Sequence, residues 1–475
     1  MVKKVLFIAG GLVGAFLLYL WIGGVLMLQL TVPEETGQPD TDRFVSESGS
    51  HDRVALIHDR IESKQTRTSL KEQAEDTLDV TMFKITDGTV DMIFYTSLLE
   101  AADRGVQVRV LLDGMFHNLR GEKGAIAEAF THHDNMELRF FEPVNVLKPW
   151  ALNNRMHDKL LIADDTFGMI SGRNIGDRYF AREGFEGATD DRDAVVFNPE
   201  GAEYQESGVM QMQRYFDEVW TSDYVEDAAD GLSDSQLDDA EEMLEVLRAE
   251  HTSLQHEEAD LYGHTYDWEE LTSPVNQVTF IHNPLGRMNK EPWVWKDLTA
   301  LMEEAESSVL MQSPFIVPTN PMLDALNREA LPEEVRVVTN SLAASPNLPT
   351  YSRFAAHRED LAGSEADLLE YQAEGHSIHG KSYVFDDRLS AIGSFNLDPR
   401  SVYLSTESML VIDSEDVNHE LRTELEQLMN EQSLQVTEDG DYAESDHVDR
   451  AETPITAEIG KRLLRPITAP FEHLF

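Results

Sequence analysis

Cysteine is absent from all 475 residues. That excludes disulfide bonds, thiolate catalysis and Cys-ligated zinc, and it is compatible with an oxidising outer compartment without requiring one. Basic residues are scarce as well: 38 Lys and Arg stand against 88 Asp and Glu, a formal net charge of −50. Binding a nucleic acid backbone needs clustered Lys and Arg, so a nucleic acid partner is not expected. A surface this acidic suits high-salt surroundings or a demand for solubility.

What the chain does contain begins with an apolar run. Residues 5–28, VLFIAGGLVGAFLLYLWIGGVLML, hold no charge and follow Lys3 and Lys4. Twenty-four helical residues cover roughly 36 Å, enough for a hydrocarbon core of ~30 Å. A cleavable signal peptide has a shorter apolar core and a small-x-small cleavage site, which is missing here. An uncleaved transmembrane anchor is therefore expected over residues 1–30. The two lysines before it and the acidic residues after it place the N-terminus in the cytoplasm and the rest of the chain outside. Residues 31–53 read as a polar linker.

Further on, HDKLLIADDTFGMISGRN (157–174) returns as HGKSYVFDDRLSAIGSFN (379–396), with six of eighteen positions identical. Two copies that keep one His-to-Asn spacing mark an internal duplication. KLLIA and KSYVF read as short buried strands, whose period of two points His157 and Lys159 to one side, and likewise His379 and Lys381. Asp164-Asp165 and Asp386-Asp387 are turn formers, so each strand folds back and brings Asn174 or Asn396 beside its His and Lys. An imidazole, an ammonium and an amide on one face suit a tetrahedral oxyanion. Two central lysines would repel a divalent cation, so neither metal nor cofactor is expected.

These residues resemble the phospholipase D superfamily, whose H-x-K-x4-D motif is followed by G-[GS]-x-N. The matching elements are His157, Lys159 and Asp164 with SGRN, and His379, Lys381 and Asp386 with GSFN. AADRGVQVRVLLDG, MQSPFIVP, VRVVTNSLAA and GSFNLDPRSVYLSTE are similar to the bacterial cardiolipin synthase branch, and the likeness spans most of residues 55–430. The resemblance implies an α/β fold of two similar halves, each a mixed sheet flanked by helices, sharing one active site. It implies phospholipid substrates such as phosphatidylglycerol and two-step transfer of a phosphatidyl group to give cardiolipin, with hydrolysis of a phospholipid as the alternative. His157 would be the nucleophile and His379 the general acid and base, with Lys159, Lys381, Asn174 and Asn396 holding phosphate oxygens. Each histidine needs a carboxylate to orient it. Glu407 matches the family's carboxylate for one half, and Asp191, with Asp193 close behind, is the choice for the other. Asp164 and Asp386 belong to the catalytic motif but read as structural, closing the turn or pairing with Arg.

The order of elements supports the duplication independently. VALIHDRIESKQ reads as a helix, TLDVTMFKI as a strand, SLLEAADRG as a helix stopped by Gly105, and VQVRVLLDG as a strand. The second half repeats this as SSVLMQSPFIV, helical PMLDALNREAL and EEVRVVTNS. The halves are expected at 54–225 and 276–440. Between them lies an acidic helical insertion, 226–275, with Ser233 and Gln236 as a capping box ahead of Leu237, Leu244 and Leu247. Trp293 and Trp295 read as packing rather than as an acyl-chain groove. The tail, 441–475, carries Lys461, Arg462 and Arg465 beside Leu463, Leu464 and Phe471, a composition that suits an anionic membrane surface or packing back onto the domain.

Overall fold

The computed structural model describes residues 2–33, 36–229 and 231–475. It contains two mixed sheets of matching strand order. In the N-terminal half the order is Arg53–Ile57, Asp193–Phe197, Phe167–Ser171, Leu160–Ala163, Thr77–Met82, Gln107–Asp113, Met136–Phe141 and Val225–Asp227, with a short extra strand, Ser273–Pro274, on the first edge. The C-terminal half repeats it as Gln277–His282, Ser408–Asp413, Leu389–Gly393, Ser382–Phe385, Ser308–Gln312, Glu334–Asn340, Asp367–Tyr371 and Ser433–Gln435. In each, three strands run parallel (77–82, 107–113 and 136–141; 308–312, 334–340 and 367–371) and the remaining pairings are antiparallel. Each motif hairpin forms in the same register: Leu160 opposes Ile170, and Ser382 opposes Ile392.

One apolar cluster draws on both sheets. Leu160, Ile162, Ile170 and Val196 meet Val384, Ile392, Leu410 and Ile412 there, joined by helices Gly208–Trp220 and Glu415–Glu431. The opposite face of each sheet is covered by its own helices, which makes two further cores. The halves therefore share a core, and the strand ends that bear the motifs are held against one another.

Three elements differ from the sequence reading. VALI is not the start of a helix: Arg53–Ile57 is a strand paired with Asp193–Phe197, and the helix begins at Arg60. Asp59 sets that start, accepting from the backbone N–H of Ile61 at 2.7 Å and Glu62 at 2.9 Å. PMLDALNREAL is helical only over Asn320–Asp324, with a short 3-10 turn at Arg328–Ala330, whereas its counterpart in the first half is the fifteen-residue helix Thr89–Asp103. The polar segment before residue 54 is no free linker. Phe44 is fully buried in the C-terminal core, Arg43 pairs with Asp297 at 2.5 Å, and Thr36 Oγ1 donates to Glu291 at 2.5 Å. One buried aromatic and two polar contacts strap the segment down.

Elsewhere the local chemistry follows the pattern. Helix Thr89–Asp103 ends before Gly105, which takes the left-handed φ of +106° that ends helices. The acidic insertion is the helix Asp234–Glu257 behind its Ser233–Gln236 box, with Leu244 and Leu247 buried and Leu237 half-buried. Trp295 is buried in the C-terminal core, and Trp293 is half-buried with Lys296 Nζ 5.2 Å over its ring. Lys3–Leu30 is one helix long and apolar enough to cross a membrane.

Candidate active site

The two motif histidines are placed by backbone pairing between the halves. Ser377–Ile378 runs parallel to Thr189–Asp190, and His379 N–H donates to Asp190 O at 2.6 Å. In the mirrored position Met156 bridges Thr406, whose N–H donates to Arg155 O at 2.9 Å, while His157 N–H reaches Thr406 Oγ1 at 3.1 Å. Each His thus follows a residue zipped to the residue preceding a carboxylate in the other half. The consequence is a crossed arrangement. Glu407 Oε1 lies 2.9 Å from His157 Nδ1, and Asp191 Oδ2 lies 2.6 Å from His379 Nδ1.

Local packing makes room for this. A Cβ at Gly172 would collide with the Asp191 carboxylate, so the glycine of SGRN lets that acid approach. Ser394, in GSFN, donates to Glu407 and fixes the other acid. Asp158, between His157 and Lys159, accepts from Tyr215 Oη at 2.8 Å and from Ser408 Oγ at 2.7 Å, a buried polar link between the halves.

Burial sets the electrostatics. Desolvation holds the His157 imidazole well below its ordinary value, with Lys159 and Lys381 adding to the effect. The same causes, burial first and then Lys381, push His379 down to about 3. Burial also lowers Lys159 to about 7 and Lys381 to about 8. The acids diverge. Burial alone would raise Asp191, but Lys381 and His379 outweigh it and hold it at about 2, whereas burial pushes Glu407 up to about 8 against the pull of Lys159. Both imidazoles are therefore neutral at neutral pH. A neutral His157 that donates Nδ1–H to Glu407 presents the Nε2 lone pair outward. His379 is crowded differently: Lys381 Nζ stands 2.7 Å from its Nδ1 and 3.3 Å from its Nε2.

Lys159 and Lys381 each donate to the carbonyl of their own motif His, and both are buried. Asn174 Nδ2 donates to Tyr179 Oη at 3.3 Å, and the side-chain oxygens of Asn174 and Asn396 are buried without a partner. Asp164 and Asp386 stand apart from the cluster. Both adopt left-handed φ, +53° and +45°, in their turns. Asp164 accepts from the N–H groups of Glu75, Asp76 and Thr77 at 2.8–3.0 Å, and Asp386 from those of Glu306, Ser307 and Ser308 at 2.7–3.0 Å. Their counterpart is backbone rather than arginine, and they brace the start of the neighbouring parallel strand. Asp193 lies in a separate network with Ser63, Arg67, Ser171 and Arg173.

Four neighbours were not anticipated. Phe83 and Phe315 lie edge-on to His157 and His379, with ring centroids 4.7 Å and 6.2 Å away, and Tyr179 flanks His379 at 5.4 Å. Lys290 is buried, its Nζ has no partner, and burial lowers it to about 7 despite nearby Asp158 and Glu407. Phe83 and Phe315 sit just past equivalent strands, a correspondence that the duplicated element order contained. Lys290 lies in the loop between strand Gln277–His282 and helix Trp293–Glu304, far longer than its first-half equivalent between Ile57 and Arg60, and no periodicity marks it.

Comparison with known proteins agrees with this fold. The family described as "Cardiolipin synthase, PLD-like domain" matches residues 69–220 and 298–429, more than half of the chain. Cardiolipin synthase C of Escherichia coli is 28% identical over 392 residues, covering 74% of this chain and 79% of that protein. An uncharacterized protein of Helicobacter pylori is 24% identical over 409 residues, 80% of each. The crystal structure of a phosphatidylserine synthase from Haemophilus influenzae superposes with a TM-score of 0.59 at 15% identity, covering 89% of this chain and 95% of that one, a likeness of fold. The chain is thus an α/β enzyme of two fused phospholipase D-type halves. It belongs to the phospholipase D superfamily, in the cardiolipin synthase-like branch, and is a phosphatidyltransferase of that family.

Proposed function

We propose that this enzyme makes cardiolipin, moving a phosphatidyl group from one phospholipid to the glycerol headgroup of phosphatidylglycerol through a phosphohistidine. The observation that carries the reading is the crossed pair of contacts, Glu407 to His157 and Asp191 to His379, around two buried lysines. His157 Nε2 attacks phosphorus, the bond to the departing alcohol oxygen breaks, and His379 supplies the proton that this oxygen takes. The acceptor hydroxyl then returns a proton to His379 while its oxygen attacks phosphorus. The P–N bond breaks and its electron pair goes back to His157. Lys159 and Lys381, with the amides of Asn174 and Asn396, hold the non-bridging oxygens as charge builds.

His379 is neutral in the empty site, so it takes up a proton from solvent as the substrate anion binds. A phosphodiester anion between the two ammonium groups offsets the lysine repulsion that adds to burial in lowering the imidazole, and the protonated form becomes accessible. The apolar N-terminal helix fits a single-pass membrane protein whose catalytic region lies outside the cytoplasm.

The test is to incubate the purified full-length protein with phosphatidylglycerol labelled in its headgroup and acyl chains. Cardiolipin and free glycerol in equal amounts support the reading. Phosphatidic acid without cardiolipin would make the enzyme a phospholipid hydrolase.

A further inference from the structure

The segment after residue 454 folds as the helix Ile455–Thr468 and a 3-10 turn, Ala469–Leu474. One face packs onto helix Leu348–Ala362: Gly460 meets Leu348, Thr468 Oγ1 lies 3.0 Å from Ser352 Oγ, and Arg353 donates to Arg465 O at 3.2 Å. The opposite face is bare. Ile455, Ile459, Leu463 and Ile467 recur every four residues and are 53–77% exposed. Such a stripe costs free energy in water and is stabilised by an apolar neighbour.

Several observations say what that neighbour is. The turn after the helix reaches the N-terminal helix, where His473 Nε2 lies 3.2 Å from Val25 O. The domain grips the same helix at a second place: Tyr19 Oη donates to Leu147 O at 2.6 Å, and Asn153 Nδ2 donates to Gly24 O at 2.7 Å. Tyr19 lies about 16 Å from the helix end at Leu30, by a rise of 1.5 Å per residue. A helix that begins its span near Val5 needs about 20 residues to cross the hydrocarbon, which takes it to about Gly24. Leu147 therefore meets the helix at apolar depth, and it is flanked by Val144 and Val146, all three exposed.

Charge points the same way. Between the two packed helices lies a cavity of about 340 Å³ whose lining holds Arg450, Lys461, Arg462 and Arg465 and also the carboxylates Glu359, Asp441 and Glu458, leaving the cations in excess. Among the described residues no carboxylate pairs with Arg450, Arg462 or Arg465, in a chain of net charge −50. Tyr442 and Arg358 line it too, and Arg358 is held by Glu370 and Lys461 by Glu458.

We infer that the loop Val144–Leu147 and the bare face of helix Ile455–Thr468 seat the catalytic region on the bilayer, and that the basic cavity beneath that helix takes the headgroup of an anionic phospholipid. The inference rests on Lys3–Leu30 crossing the membrane, not on the reaction catalysed. Long basic side chains beside an apolar stripe suit an interfacial helix, and each is worth about fivefold in affinity for an anionic surface.

Because the chain has no cysteine, single labels are site-specific. The full-length protein bearing Leu12→Cys, Leu147→Cys, Ile459→Cys or, on the exposed acidic helix, Glu257→Cys is labelled with a polarity-sensitive dye and reconstituted into phosphatidylcholine vesicles. Nitroxide-bearing lipids should quench the labels at positions 12, 147 and 459 and spare the one at 257. Quenching at 12 without 147 and 459 overturns the inference while leaving the anchor intact. No quenching at 12 removes the anchor and the inference together. For the headgroup, nitroxide-labelled phosphatidic acid should quench position 459 several-fold more than nitroxide-labelled phosphatidylcholine. Arg462→Gln with Arg465→Gln should abolish that preference, and lysine at both positions should keep it. Loss of the preference in millimolar inorganic phosphate would assign the cavity to free phosphate and overturn the lipid site.

Discussion

Asp191, from the N-terminal half, holds Nδ1 of His379 in the C-terminal half at 2.6 Å. The reverse contact, Glu407 to His157, makes each half the support of the other's imidazole. Neither half alone contains a complete, oriented histidine. This dependence explains why the halves share a core.

The crossing makes a prediction about paired phenotypes. Under the proposed roles, Glu407→Gln should resemble loss of the nucleophile, because an amide N–H turned toward His157 Nδ1 fixes the wrong tautomer. Asp191→Asn should resemble loss of the general acid. Each should lower kcat by roughly 10²–10⁴-fold, the span typical of positioned acid–base groups. The two are told apart with an aryl phosphodiester, whose leaving group needs no proton. It should restore the first step in Asp191→Asn and not in Glu407→Gln. Equal rescue of both variants would count against the crossed assignment.

The pH profile follows from the lysines. Lys159 and Lys381 sit at about 7 and about 8 in the empty site, each lowered first by burial. A lowered ammonium value means that charge is lost as pH rises through it, so kcat/KM should fall above about pH 7–8. A bound phosphodiester anion stabilises both ammonium forms, which moves the corresponding limb in kcat to higher pH. Measuring both constants from pH 6 to pH 10 checks this. A kcat/KM that stays level across that range would remove the lysines from phosphate binding.

The motif aspartates should behave as structural residues. Asp164→Ala and Asp386→Ala each abolish three hydrogen bonds to backbone N–H groups and place alanine at positive φ. A loss of about 1–3 kcal/mol in unfolding free energy is expected, by the cost of leaving such donors unmet. Asparagine tolerates positive φ and keeps one acceptor, so it should cost less. Activity per folded molecule should change less than twofold. A thermal melt and an active-site titration on the same samples separate the two effects, and a large kcat loss in a stable variant would contradict a purely structural role.

Much of this was legible in the sequence because duplication doubles every signal. A His, a Lys and an Asn at one spacing in two places identified the hairpins, and the repeated strand–helix–strand order predicted two similar sheets. What stayed hidden depended on contacts across the halves. Nothing in the spacing says that Glu407 faces His157 and not its own His379, because the parallel bridges that arrange it, Met156 to Thr406 and Ile378 to Asp190, are one or two residues long. VALI reads as helix because four apolar residues run straight into a helical pattern, and only the capping by Asp59 separates them. Phe44 is hidden for the opposite reason, as a lone aromatic in a polar stretch has no period to reveal it.

The last prediction concerns which histidine takes the phosphatidyl group. His157 has one polar neighbour on Nδ1, the Glu407 carboxylate, and so presents Nε2 as a free lone pair. His379 has Lys381 within 3.3 Å of both ring nitrogens, and an ammonium N–H donated to Nε2 occupies the lone pair that would attack. His157→Ala should therefore form no covalent intermediate with any substrate. His379→Ala should still be attacked when the leaving group is a nitrophenolate, giving one burst of nitrophenol and then stalling, since no group remains to deprotonate the acceptor. Acid quench and peptide mass spectrometry read the result directly. A phosphatidyl adduct on the peptide containing His157 agrees with the assignment. An adduct on the peptide containing His379, formed in His157→Ala, would reverse the two roles while leaving the two-step chemistry in place.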